Sequence, residues 1–152
     1  MRYQGGKRRS AKFIASYVAK LRDDAPVSDI ADLFLGSCGI EVAFDKANTP
    51  VTLGAEVCPA IIACYREICS GWQPPQRLSH EEYACIRAAH GPDSTNPLAA
   101  FALAFCSFGG VWGAGRLPDD ERHGENRPTC RYAAAKACKD LLALRPILPR
   151  MV

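Results

Sequence analysis

At 152 residues the chain is long enough for one domain with its own hydrophobic core. Apolar residues make up 48% and charged residues 23%, as in an ordinary soluble globular protein. No run approaches the roughly 18 apolar residues that would argue for a membrane span.

A net charge of +3 does not by itself define a nucleic-acid partner, but its placement is uneven. Arg2, Lys7, Arg8, Arg9, Lys12, Lys20 and Arg22 all precede the first acidic residue, Asp23. Such a patch can steer toward phosphates, and it can equally be a solvated helix face. "MRYQGGKRRSAK" lacks the apolar core of a signal peptide, so no secretion is expected. The eight cysteines form no C-x-x-C pair, and several fall within apolar runs such as "IIACYREIC" and "FALAFC". A cytoplasmic protein with buried free thiols and no disulfides follows as the expectation.

In chain order, Ser10 is placed to cap a helix with apolar residues at Phe13, Ile14, Tyr17, Val18 and Leu21. "IADLFL" (30–35) reads as a buried strand ending at Gly36. "IEVAFDKA" (40–47) reads as a short helix and "TPVTLGAE" (49–56) as a second strand. Pro59 suits the first helical position of "PAIIACYREIC". Ser79 and Glu82 have capping-box spacing ahead of "HEEYACIRAAH". Asn96 and Pro97 open "LAAFALAFCSF", and 107–130, rich in glycine, reads as a long loop. "CRYAAAKACKDLLAL" (130–144) reads as a helix ended by Pro146. Alternating strands and helices predict an α/β fold with a parallel sheet. With only two strands legible, that sheet looks unfinished, since three are usually needed for independent stability.

The stretch with most chemical content is "DLFLGSCGIE" (32–41). A strand running into Gly36-Ser37-Cys38-Gly39 and then a helix can cradle a nucleotide-like ligand, because glycines allow close approach of the backbone. It can also be a bare bend. Glu56 follows Gly36 by 20 residues at the end of the next strand, a spacing at which an acid takes ribose hydroxyls. Its carboxylate can accept the two hydrogen bonds that a cis-diol offers. His80, His90 and His123 lie in polar or loop contexts and suggest neither a triad nor a metal site.

Three segments, "RYQGGK" (2–7), "DLFLGSCG" (32–39) and "GAEVCPAIIACYREI" (54–68), occur in the order seen in adenine-specific DNA methyltransferases of the Dam-like class, which the chain resembles over nearly its whole length. "FALAFCSFGGVWGAGR" (101–116) is similar to that family's approach to its DNA-reading hairpin, and "RYAAAKACKDLLAL" to the helix before its catalytic strand. The resemblance implies an incomplete Rossmann-like methyltransferase fold. It divides the chain into a cofactor-binding part (1–70), a helical and loop insertion for target recognition (71–131) and a helix returning to the sheet (132–152). It also implies S-adenosylmethionine as cofactor. Tyr3 and Lys7 would border the methionine end, Phe34, Gly36, Ser37 and Gly39 would form the floor, and Glu56 would hold the ribose. Double-stranded DNA is the implied partner, with Arg116, Arg122, Arg127 and Arg131 as candidate phosphate or base contacts. Phe108 and Trp112 could stack on a base or wedge into the duplex, or else pin the loop to the core.

The sequence departs from the family pattern at named positions. Cys38 stands where the second glycine of Phe-x-Gly-x-Gly is usual, Glu56 where Asp is usual, and Cys58 where Asn is common. The family's Asp-Pro-Pro-Tyr, which grips the target amine and stacks on the flipped base, is absent. Pro74-Pro75 follows no predicted strand and has no aromatic after it. The expectation is therefore the cofactor-binding and target-reading part of a methyltransferase, inactive without an acceptor motif from a second chain or a longer parent. The alternative is a non-catalytic protein that binds DNA or a methyltransferase subunit through an open sheet edge.

Overall fold

The computed structural model describes residues 9–24, 29–115 and 133–151. Helix α1 (Ala11–Asp24) packs on α2 (Gly39–Lys46). Its apolar residues split into two stripes. Ala11 and Ala15 are buried and Ile14 and Val18 half-buried, while Phe13, Tyr17 and Leu21 are 74%, 56% and 46% exposed. Residues spaced by four share a helix face, so the small alanines let the two helices approach and the larger side chains are turned away.

The two predicted strands pair in parallel as β1 (Ala31–Asp32) and β2 (Leu53–Gly54), with Ala31 opposite Leu53 and Asp32 opposite Gly54. The ladder runs beyond the regular strands: Thr52 N donates to Ile30 O (2.9 Å), Ala55 N to Asp32 O (2.8 Å) and Leu35 N to Ala55 O (3.0 Å). On the far side of β2, Gly54 N donates to Met151 O at 3.1 Å, bringing the C-terminal residues onto that edge. Gly54 lies at a close approach, since a Cβ there would stand 2.7 Å from the Leu35 methyls. Among the described residues the sheet has two strands. The molecule is thus helical with a small parallel sheet, compatible with the α/β expectation.

The remaining helices follow their local signals. In α3 (Pro59–Cys69), Pro59 sits at the first position, and Ile61, Cys64, Tyr65 and Ile68 form the buried face. A capping box starts α4 (His80–Ala89): Glu82 N donates to Ser79 Oγ (3.0 Å) and Ser79 N to Glu82 Oε2 (2.7 Å). Asn96 caps α5 (Pro97–Ala100), which runs into a wholly buried π-helical turn, Phe101–Phe105. The wider turn carries Phe101 edge-on to Trp72 (6.4 Å between ring centres) and stacks Phe105 on Tyr65 (6.2 Å). In α6 (Ala133–Leu142) the buried residues Ala134, Ala137, Cys138 and Leu141 keep the helical period. No described helix is long and apolar enough to cross a membrane.

Candidate functional site at the glycine turn

Strand β1 delivers the chain into the turn 36–39, and α2 leaves it. Two residues of the turn take left-handed backbone, Gly36 at φ 48° and Cys38 at φ 53°. Cys38 is a side-chain-bearing residue in the left-handed conformation that favours glycine. Its thiol is fully buried, and its N–H donates to Leu35 O at 2.8 Å.

The turn is gripped from two sides. Glu56, just beyond β2, accepts from Gly36 N through Oε2 (2.8 Å) and from Cys58 N through Oε1 (3.1 Å). The Tyr65 hydroxyl, from the buried face of α3, donates to Gly36 O. Glu56 therefore ties the end of β1 to the start of α3. It is half-exposed, and each carboxylate oxygen keeps a lone-pair site free for a further donor. Cys58, at the N-cap of α3, supplies no side-chain cap; its thiol lies 3.3 Å from Pro92 O instead.

The other expected site residues lie as follows. Phe34 is 74% exposed at the carboxyl end of β1, an accessible aromatic beside the turn. Ser37 is half-buried within the turn, and Gly39 opens α2. Tyr3 and Lys7 fall outside the described residues, as do Arg116, Arg122, Arg127 and Arg131. In the glycine-rich segment Trp112 packs against the core, whereas Phe108 is 68% exposed. Gly113 N donates to Leu103 O (2.9 Å) and Phe108 N to Gly115 O (2.7 Å), which folds this segment back on itself. His90 is engaged within its loop by Ser94 and Asn96.

Three residues of the turn's surroundings escape a reading by motif: Asp32, Glu41 and Tyr65. Asp32 Oδ1 accepts from Phe34 N at 2.8 Å at the end of β1. Glu41, in the first turn of α2, is 2% exposed, and neither of its oxygens has a hydrogen-bond partner. Burial, reinforced by the facing Asp32, pushes its carboxyl up to about 8. At neutral pH it is the uncharged acid, which is how an unpaired buried carboxyl avoids the cost of ionisation. Burial and then Glu41 push the Cys38 thiol far up, and burial likewise raises the Tyr65 phenol. The one legible signal for Glu41 is its three-residue spacing from Cys38 and Phe44, which places an acid on a buried face.

Among the described residues no three His, Cys, Asp or Glu side chains are grouped to hold a metal ion. A cleft of about 600 Å³ lies elsewhere, among Trp72, Pro75, Leu78, Ile86 and Leu98, and no residue of the glycine turn lines it. Arg77, Glu82 and Asn96 also line it. No protein-family model matches this chain, and neither a curated protein nor a solved structure matches it.

Proposed function

We propose that the chain is the S-adenosylmethionine-binding, N-terminal part of a site-specific DNA adenine N6-methyltransferase, built on part of a Rossmann-like methyltransferase fold. The observation that carries this reading is the link from Glu56 to Gly36 N, which sets an acid with free lone pairs beside a tight glycine turn. At that point a nucleoside diol can be held by Glu56 while its base lies against the exposed Phe34 ring. Tyr3 and Lys7 would enclose the amino-acid end of the cofactor. When bound, S-adenosylmethionine supplies the electrophilic methyl group. Arg116, Arg122, Arg127 and Arg131 would meet DNA phosphates or base edges. This sequence contains no Asp-Pro-Pro-Tyr, so the grip on the target amine would come from a second chain or from a longer parent protein.

Calorimetry with S-adenosylmethionine on the purified chain tests the reading. Binding is expected, with at least about a tenfold loss of affinity in Glu56→Gln, in which one backbone N–H faces an amide NH2 instead of a carboxylate oxygen. Tritium transfer from the cofactor to DNA by this chain alone is expected to be absent. Absence of cofactor binding would overturn the reading.

A second reading is a non-catalytic partner protein. It is favoured by Leu33, Leu53 and Val57, which stand 58%, 58% and 87% exposed around the same strand ends. Exposed apolar side chains gathered at one place suit a protein interface.

A further inference from the structure

We propose that the buried Glu41 carboxyl, faced by the half-buried Asp32, couples ligand binding at the glycine turn to release of a proton, which makes the turn selective for a ligand bearing positive charge. The inference rests on the cofactor reading above and adds to it a means of discrimination.

Glu41 is the only residue with buried side-chain oxygens left without a partner among the described residues. It lies three residues past Cys38, the left-handed residue of the turn, and 2% of its surface is exposed. The titratable groups around it come from several elements. Asp32 faces it from the end of β1, Cys38 from the turn and Tyr65 from α3. Glu56 acts on Cys38 from beyond β2. From α1, packed on α2, the inward residues are Ala11 and Ala15, with Ile14, Val18 and Arg22 half-buried beside them; Lys12 and Lys20 are exposed. No cation is among the main groups that act on Glu41.

A carboxyl in such a place is a reservoir for one proton. Burial disfavours the charged form of Glu41, and the acid facing it disfavours that form further. A cation arriving over the turn supplies the missing counter-charge. The Glu41 O–H bond then breaks, its electron pair stays on the carboxylate oxygen, and the proton leaves to solvent. A neutral ligand of the same shape gives no such compensation, and the proton stays. The cofactor reading makes that cation an organic one. S-adenosylmethionine has a sulfonium centre, and S-adenosylhomocysteine, otherwise alike, has an uncharged sulfur.

The test is calorimetry near neutral pH in two buffers of different ionisation enthalpy, which counts protons exchanged on binding. It compares the full chain with Glu41→Gln, using both compounds as probes. Protonation of the ligand's own amine is common to the two proteins and cancels in the difference. With S-adenosylmethionine the native chain is expected to release up to about one proton more than Glu41→Gln. With S-adenosylhomocysteine the two proteins should agree. Between about pH 6 and pH 8 the native chain's affinity for S-adenosylmethionine should rise relative to that of Glu41→Gln, approaching tenfold per pH unit at full linkage.

Equal proton counts for the two proteins with S-adenosylmethionine would overturn the inference while leaving the cofactor reading standing. Failure of the native chain to bind either compound would overturn both. If Glu41→Gln does not fold, Asp32→Asn makes the same comparison from the other partner. Its amide oxygen can still accept from Phe34 N, and the extra proton release should shrink because the acid that helps to raise Glu41 is gone; unchanged release would again overturn the proposal.

Discussion

Cys38 shows how one residue can keep a backbone demand while changing its chemistry. A left-handed φ of 53° costs a residue with a Cβ about 1 to 2 kcal/mol. The turn holds it there through the Cys38 N to Leu35 O bond and by burying the thiol. Glu41, three residues on, carries a cost that depends on pH. Its folded value lies near 8 against the ordinary 4.5, so the folded chain keeps a proton that the unfolded chain gives up. The group's contribution to stability is fully present below the ordinary value and is lost as pH rises through about 8. Glu41→Gln, which mimics the protonated acid at every pH, should therefore be more stable than the native chain near pH 8. The two should converge near pH 4.5, as urea unfolding at the two values would show.

Elements show where local pattern suffices and where it does not. The capping box of α4, the first-position proline of α3 and the period of α6 are each set by neighbours within a turn or two, and they form where those signals stand. The apolar stripe of α1 marks a helix without saying which apolar residues face inward, since that depends on α2 packing against it. The two strands pair within the expected segments, but Ala31, Leu33 and Phe34 are exposed where a buried strand is expected, and a Cβ at Gly54 would press on the Leu35 methyls. Gly54→Ala places a methyl against Leu35, itself buried and unable to swing away freely. Its expected cost is about 1 to 3 kcal/mol. A lowered urea midpoint with an unchanged slope would register that cost, and an unchanged midpoint would show that the strands can move apart.

At the scale of the whole molecule, remote segments are tied together by side chains that meet only after folding. Arg145, just past α6, donates from Nε to Ile68 O and from a terminal nitrogen to Trp72 O, both at 3.1 Å. These carbonyls lie at and beyond the end of α3, where helix ends leave acceptors unsatisfied. The planar guanidinium serves both at once, which a lysine cannot do in the same geometry. Arg145→Ala should cost about 2 kcal/mol, and Arg145→Lys should recover only part of it, as measured by chemical unfolding. By itself the sequence determined the order of helices and strands, the parallel pairing of the two strands and the glycine turn with Glu56 to follow. Each of these rests on periodicity, caps and turn residues that act over a few positions. Only the tertiary structure decided that Glu56 would grip Gly36, that Tyr65 would close the turn from the other side and that Glu41 would be left without a partner. The first two depend on residues 20 or more positions apart and the third on how deeply the first turn of α2 is packed, and no local pattern encodes either.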